Sequence, residues 1–485
     1  MVLRSDAVVI GSGFGGAAPA LRLAEAGAQV TIVEQGPRMP PSAMRRTQDP
    51  RYLQQHLLSL GDEQTSINLA RTWGGASPWY EMMSLRAPSV AFARTDATGR
   101  RRWPEGLDRR TLAPWYALAE TTLGVAPLAE DRVPRTGQVF AWMLANQGMA
   151  AARVPMAVQG CQGAGYCWSG CVFGAKRSLD RTYLPAAEAA GAVARVGATV
   201  HAVEPMAGGY RLAASDADGQ PLVLEAPTVV LAGGVVGTAA LLLRSRRALH
   251  GLSPTVGQGI GLNNRAVVLG MLPADAPQVD NFTGPSQAGI ITWDLLEPHG
   301  MVLWPAKPLP LMFMATGRGQ RPGERSWGAQ HIAWMKHFRR RGLMLIAQGP
   351  GPTAAELRLE GGEPVLRTVD QPAQETAAGE RKRWEGVIRD LLARAGAEVI
   401  ELHPRDLQGR DRPDTFIGNS HVVGSCRMDP DPARGVVGLD GQVHGHPGLW
   451  ISDASTLPSP TGVNPSLTIL ANAERIAAGI VEAVA

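Results

Sequence analysis

The chain has 485 residues, of which 45% are hydrophobic and 19% are charged. This composition is typical of a globular protein and excludes a mainly disordered chain. The net charge of +4 is small for this length and gives no support for nucleic-acid binding. No segment approaches the roughly 18 uncharged apolar residues of a membrane span. The first apolar strand starts almost at once, so we expect a cytoplasmic protein without a signal peptide.

A nucleotide-binding unit is predicted at the start of the chain. Residues 7–10 read as a buried parallel strand, residues 11–16 (GSGFGG) fit the pattern G-x-G-x-x-G, and a helix is predicted over 17–26. A second strand over 29–33 ends at Glu34, where an acid can bind ribose hydroxyls. The glycines permit a tight turn and a close approach of a pyrophosphate to the backbone, at a helix N-terminus that favours anions. The motif alone does not distinguish FAD from NAD.

In the C-terminal segment, a strand followed by a helix is also predicted. Residues 449–453 read as a strand ending in an acid, and residues 466–480 read as a helix that follows Pro465. Upstream lies the segment 421–428 (HVVGSCRM). In these segments the sequence resembles the glucose-methanol-choline (GMC) oxidoreductases, which are FAD enzymes, and within them the cholesterol-oxidase-like branch.

The resemblance covers most of the chain but is poor over residues 271–420, a region that shapes substrate specificity in this family. It implies an α/β fold in which a Rossmann-like FAD-binding domain is interleaved with a substrate domain built on an antiparallel sheet with helices. The expected FAD-binding domain comprises 1–75, 157–270 and 440–485. The expected substrate-binding domain comprises 76–156 and 271–439.

The resemblance also implies which residues contact the cofactor. Several family blocks are matched, among them residues 73–77 (WGGAS) and 229–234 (VVLAGG). The cofactor-binding residues implied are Gly11, Gly13, Phe14, Gly15, Gly16, Glu34, Gly74, Gly75, Ser77, Val200, Gly233, Asp453, Asn464 and Pro465.

By the same resemblance, His421 and Asn464 form the catalytic pair. Oxidation of an alcohol by hydride transfer needs a base for the hydroxyl proton, and imidazole suits neutral pH. An asparagine can bind the substrate oxygen and fix its orientation. Plainer interpretations remain for each residue: His421 as an ordinary core histidine, Asn464 as a helix cap, and Asp453 as a cap at the end of its strand.

Three of the four cysteines, Cys161, Cys167 and Cys171, lie within eleven residues. Their spacing is similar to the iron–sulfur segment of GMC glucose dehydrogenases that pass electrons to a cytochrome partner. The resemblance implies that they ligate a [3Fe-4S] cluster, since thiolates are the usual ligands of such clusters. The alternative is three small residues packed in a turn as free thiols; a structural zinc is weaker, because a fourth ligand is missing nearby.

The leading hypothesis is therefore an FAD-dependent alcohol oxidase or dehydrogenase. Its electrons would pass to oxygen or to a separate acceptor, either a protein or a quinone. One alternative keeps the fold but catalyses a non-redox, lyase-type reaction. Another is a nucleotide-binding module without catalysis, against which the presence of both His421 and Asn464 argues. The sequence does not identify the alcohol.

Overall fold

The structure is a computed structural model that describes residues 2–47, 50–307, 328–400 and 412–484. Residues 308–327 and 401–411, which belong to the expected substrate-binding domain, lie outside the described residues.

The strands of the described chain are numbered in sequence order. They are β1 Val2–Arg4, β2 Ala7–Ile10, β3 Val30–Glu34, β4 Leu57–Gly61, β5 Thr65–Ala70, β6 Ala126–Pro127, β7 Ala152–Arg153, β8 Pro155–Met156, β9 Val193–Val196, β10 Thr199–Met206, β11 Gly209–Ser215, β12 Pro221–Ala226, β13 Thr228–Leu231, β14 Gln258–Met271, β15 Ile290–Ile291, β16 Val302–Ala306, β17 Gly342–Pro350, β18 Ala355–Glu360, β19 Glu363–Thr368, β20 Glu398–Ile400, β21 Ile417–Asn419, β22 Val422–Ser425 and β23 Leu449–Ile451.

The α-helices are numbered in the same way, and short 3₁₀ turns occur between them. They are α1 Ala17–Glu25, α2 Pro50–Gln54, α3 Ser89–Phe92, α4 Ala113–Leu123, α5 Arg135–Ala145, α6 Tyr183–Ala189, α7 Gly234–Ser245, α8 Leu296–His299, α9 Ala329–Arg341, α10 Gln371–Arg394 and α11 Ser466–Val484. Among the described residues, no helix is both long enough and apolar enough to cross a membrane.

A five-stranded parallel sheet carries the N-terminal motif. Its order is β23-β13-β2-β3-β9, and every neighbouring pair is parallel. The predicted strand–turn–helix–strand unit is present as β2, α1 and β3, within a residue of the predicted bounds. Strands β2 and β13 are almost entirely buried, as expected for apolar runs covered on both faces. The sheet collects strands from distant parts of the chain, because β23 lies more than 400 residues after β2.

A second, antiparallel sheet is built around the long strand β14. Its order is β16-β17-β14-β18-β19, and β20 and β22 also pair with β14. Helix α10 covers one face of this strand, where Asn264 donates to the carbonyl of Ala377 in that helix. Successive residues of a strand point to opposite faces, so Asn263 and Arg265 lie on the other face. The side chains of Asn263 and Arg265 therefore lie on the face of the sheet that is turned away from α10.

A further sheet, of order β1-β12-β11-β10, packs beside the parallel one, and β4, β5 and β21 form a small three-stranded sheet. The pairing of β22 with β14 sets Val422 opposite Leu262. That register brings His421, which immediately precedes β22, beside Asn263. Two segments separated by about a third of the chain thus meet at one point between the sheets.

Candidate active site

The glycine loop after β2 is shaped by contacts that admit no side chain. Gly11 has a φ of +105°, and a Cβ atom built on it would lie 2.3 Å from the carbonyl oxygen of Ala232. A Cβ atom on Gly16 would lie 1.9 Å from the oxygen of Gly11. These glycines are therefore required by the close packing of the loop against β13 and the first turn of α1.

The loop containing Gly74 and Gly75 approaches the first glycine loop from the opposite side. A Cβ atom on Gly75 would lie 2.7 Å from the Cα atom of Gly13, and the φ of Gly75 is +58°. Ser77 stabilises this turn by donating to the carbonyl of Gly74 at 2.7 Å. The two loops thus form a cradle of bare backbone, which is the surface that a pyrophosphate or an aromatic ring system of a dinucleotide requires.

Glu34 lies at the end of β3, next to this cradle, and is 6% exposed. One carboxylate oxygen accepts from the backbone N–H and the hydroxyl of Ser12, at 3.1 and 2.6 Å, and the other accepts from the N–H of Gly36 at 2.8 Å. The Ser12 hydroxyl also accepts from the N–H of Gly74. Burial raises the pKa of Glu34 above its ordinary value, and hydrogen bonds from Ser12 and Gly36 oppose this shift. Glu34 therefore ties the two glycine loops together.

Asp453 follows β23 and is buried against the glycine loop, because a Cβ atom on Gly15 would meet its Cα atom at 2.4 Å. One of its oxygens accepts from the N–H of Gly234 and the hydroxyl of Thr238, at 2.7 and 2.6 Å, and the other accepts from the N–H of Ser455 at 2.8 Å. Its carboxylate thus caps the first turn of α7. Asp453 lies beside the cradle, with both oxygens bound to protein donors.

Other predicted cofactor residues lie around the same region. Gly233 precedes α7, and its N–H donates to Thr238. Val200 lies on β10, at an irregularity in the pairing with β11. Phe14 packs edge-on to the ring of Tyr80, with their centroids 5.5 Å apart. Pro465 immediately precedes α11.

His421 and Asn464, separated by 43 residues, meet at the edge of this region. Nδ2 of Asn464 lies 3.2 Å from Nε2 of His421. Oδ1 of Asn464 is buried and has no hydrogen-bond partner among the described residues. Burial and the positive charge of Arg265 lower the pKa of His421 to about 3. The imidazole is therefore neutral at neutral pH, and an unused acceptor lies beside it.

Asn263 holds this pair together, and it was not among the residues predicted from the sequence. Its Oδ1 accepts from the N–H of Gly462 at 2.9 Å, and its Nδ2 donates to the carbonyl of Val463 at 2.7 Å. The same Nδ2 lies 3.5 Å from Nδ1 of His421. Asn263 thus fixes the backbone that carries Asn464 relative to the imidazole. Two adjacent asparagines inside an apolar strand are the only clue that the sequence offers.

The three clustered cysteines line one small pocket, together with Met82, Tyr166 and Lys176. The ammonium of Lys176 donates to the carbonyls of Pro78 and Cys167, both at 2.7 Å, and burial lowers its pKa to about 8. In the described part of the chain, no group of three or more His, Cys, Asp or Glu side chains is arranged to hold a metal ion. The [3Fe-4S] cluster that the resemblance implies stays a prediction, and the three residues are free cysteines in this structure.

Comparison with known proteins shows which family the chain resembles. The model of the N-terminal part of the GMC oxidoreductases matches residues 5–263, and that of the C-terminal part matches residues 364–473. An uncharacterized GMC-type oxidoreductase of Mycobacterium tuberculosis is 30% identical over 98% of this chain and 76% of its own length. A cholesterol oxidase of the same organism is 27% identical over 97% of this chain and 90% of its own.

Among solved structures, a formate oxidase of Aspergillus oryzae superposes with a TM-score of 0.69 at 14% identity, covering 99% of this chain and 98% of its own. That likeness confirms the predicted interleaved α/β fold. The two family models together cover the glycine loop, the second glycine loop, His421 and Asn464. The chain is an FAD-dependent oxidoreductase that belongs to the GMC oxidoreductase family.

Proposed function

We propose that the protein oxidises the CH–OH group of an alcohol, with His421 as the base and Asn464 as its partner at the substrate oxygen. The observation that carries this proposal is the pair itself: a neutral imidazole beside a buried amide oxygen to which no described residue donates. The parallel-sheet half would hold the cofactor, and the sheet around β14 would cover the substrate.

The residues present fit FAD. At Gly13 and Gly75 the two glycine loops approach each other so closely that only backbone fits there, and the cradle carries no side chain at this point. Trp73, which begins the second glycine loop, has a buried indole N–H without a partner among the described residues. When bound there, FAD supplies the acceptor for a hydride from the carbon of the alcohol. Gly13, Gly75 and Glu34 would hold its dinucleotide part.

His421 would take the proton from the hydroxyl at Nε2. A base must be unprotonated at the working pH, and the lowered pKa of this imidazole meets that condition. Asn464 would keep the oxygen in line by offering Oδ1 and Nδ2 to it. Asn263 would contribute indirectly, because it holds both residues in their relative positions.

The test is anaerobic reduction of the bound flavin by alcohols. The His421→Ala variant should retain its flavin but be reduced about a hundredfold more slowly, or slower still, because the base is lost. His446→Ala is a matched control, since His446 is another buried histidine, on a loop away from the pair. Chemical reduction of the flavin should be normal in both variants. Equal rates of reduction by alcohol in the wild type and in His421→Ala would refute the assignment.

The same experiment separates the alternatives. A flavin that no alcohol of a broad panel reduces, in a protein that still consumes a hydroxylated substrate, would indicate a lyase-type reaction. Oxygen uptake compared with dye reduction identifies the acceptor. Iron and acid-labile sulfide assays on anaerobically purified protein test the predicted cluster. Stoichiometric amounts of both would support Cys161, Cys167 and Cys171 as its ligands, and their absence would favour free thiols.

A further inference from the structure

Arg265 is an unusual residue on the inner face of the antiparallel sheet. It lies two residues after Asn263 on β14, so the two side chains share a face and their Cα atoms are about 7 Å apart. Its side chain is exposed although the neighbouring residues on both sides along the strand are buried. Burial lowers its pKa. The side chain is therefore accessible to solvent, although protein surrounds its guanidinium closely enough to disfavour the charge.

The guanidinium of Arg265 has no hydrogen bond or carboxylate within 4.0 Å among the described residues. The one carboxylate whose charge reaches it is that of Glu81. Both oxygens of Glu81 already accept from other residues: one from the hydroxyl of Ser286 at 2.5 Å, and the other from the amide of Gln287. Within the described part of the chain, the charge of Arg265 is therefore left without a direct partner.

A second unpartnered group lies directly across from Arg265. Gln348 on β17 is its register partner, so both side chains stand on the same face of the sheet. Gln348 is 1% exposed, and neither Oε1 nor Nε2 has a hydrogen-bond partner among the described residues. Leaving both ends of a buried amide unpaired is costly, which indicates that a ligand group completes the site.

The polar face that carries Arg265 and Gln348 lies on the His421 side of the sheet. Arg265 shares a strand face with Asn263, whose side chain contacts His421, and its charge lowers the pKa of that imidazole. Trp304 and Val302 extend the face along β16, with the indole N–H donating to Gln287 at 2.7 Å. Neither family model extends over residues 264–363, which include all of these side chains except His421. The polar face thus lies outside the segments that the family models match.

We propose that Arg265, assisted by Gln348, binds a carboxylate on the substrate, so that the enzyme oxidises hydroxy acids in preference to neutral alcohols. The inference rests on the proposed alcohol oxidation. A planar guanidinium with free donors matches a carboxylate in two parallel hydrogen bonds. The Gln348 amide would donate a further bond from Nε2. An apolar sterol or long-chain alcohol would instead leave both groups unpaired in a dry cavity.

The test compares each hydroxy acid with its own methyl ester, which removes only the charge. For the wild type, kcat/KM should favour the acid over the ester. In Arg265→Met the acid should lose about 10- to 100-fold, mainly through KM, while the ester changes little. Arg265→Lys should recover part of the preference. Arg358→Met is the matched control, because Arg358 lies on the same sheet with its side chain exposed, and it should behave as wild type.

A binding measurement keeps this inference separate from the oxidation itself. Butyrate, which has no hydroxyl group to oxidise, should perturb the visible spectrum of the oxidised flavoprotein in the wild type and not in Arg265→Met. If butyrate binds in this Arg265-dependent way but no alcohol reduces the flavin, the proposed oxidation fails and the carboxylate site stands. Equal kcat/KM for acid and ester in the wild type, or equal losses for both in Arg265→Met, would overturn the carboxylate site.

Discussion

Replacing Asn263 by alanine tests whether this one side chain sets the geometry of the His421–Asn464 pair. The change removes the acceptor for the N–H of Gly462, and an orphaned buried N–H costs about 1–3 kcal/mol. The carbonyl of Val463 loses one donor but keeps the hydroxyl of Thr461 at 2.7 Å, so this second loss is about 0.5–1.5 kcal/mol. We therefore expect the free energy of unfolding to fall by about 2–4 kcal/mol.

The kinetic effect should exceed what the loss of stability explains. The backbone of residues 462–464 is free to shift once Asn263 no longer holds it, and a displacement of about 1 Å at a reacting centre costs about a hundredfold in rate. The assay is anaerobic stopped-flow reduction of bound flavin by a saturating alcohol, with flavin content and melting temperature measured on the same preparation. We expect a 10- to 100-fold slower reduction at normal flavin content.

Asn264→Ala is the control, because Asn264 is the next residue, equally buried, and its side chain points to the opposite face. It donates to the carbonyl of Ala377 at 2.7 Å and contacts neither His421 nor the 462–464 backbone. This variant should also lose stability but reduce its flavin at the wild-type rate. If the two variants lost rate equally, or if Asn263→Ala reduced at the wild-type rate, the positioning role of Asn263 would be refuted.

Two more predictions follow from the site. Gly75→Ala should lose bound FAD because its Cβ atom would lie 2.7 Å from the Cα of Gly13. Gly99→Ala is the control, because Gly99 has a similar positive φ but open space around it, and this variant should keep a normal flavin-to-protein absorbance ratio. Equal flavin occupancy in the two variants would contradict the proposed cradle. The low pKa of His421 predicts that kcat/KM for a neutral alcohol stays constant as the pH falls from 8 to below 5, since the imidazole remains unprotonated there. Removing the positive charge in Arg265→Met favours the imidazolium and should raise the pH at which kcat/KM falls on the acid side. If kcat/KM of the wild type already fell near pH 6.5, the imidazole would not be desolvated.

The N-terminal nucleotide unit could be predicted closely because its signals are local. The glycines of 11–16, the strand before them and the acid at 34 lie within one short stretch, and each has a backbone reason to be there. The resemblance also selected His421 and Asn464, which the structure brings to 3.2 Å. The fold class was also predicted correctly, because motifs at both ends of the chain carry the resemblance to the family.

Asn263 and Arg265 escaped prediction because their roles depend on register rather than on local spacing. Nothing near β14 in sequence marks which of its residues face His421, about 160 positions away. That choice is made by the pairing of Leu262 with Val422, and a shift of one residue would turn both side chains to the opposite face. The cysteine cluster was predicted from spacing and resemblance alone. The structure places its three thiols around one pocket, and the cluster itself stays a prediction.

The late position of β23 has a consequence for synthesis on the ribosome. This strand pairs with the outer edge of β13 and is followed by Asp453 and Asn464. Because about 220 residues separate it from β13, and translation proceeds at about 5–20 residues per second, the edge of β13 waits about 10–45 seconds for its neighbour. During that time an apolar strand edge is exposed to other nascent chains. Chaperone dependence during translation should therefore be governed by the last tenth of the chain, and a protein shortened before β23 would lack both this edge strand and Asn464.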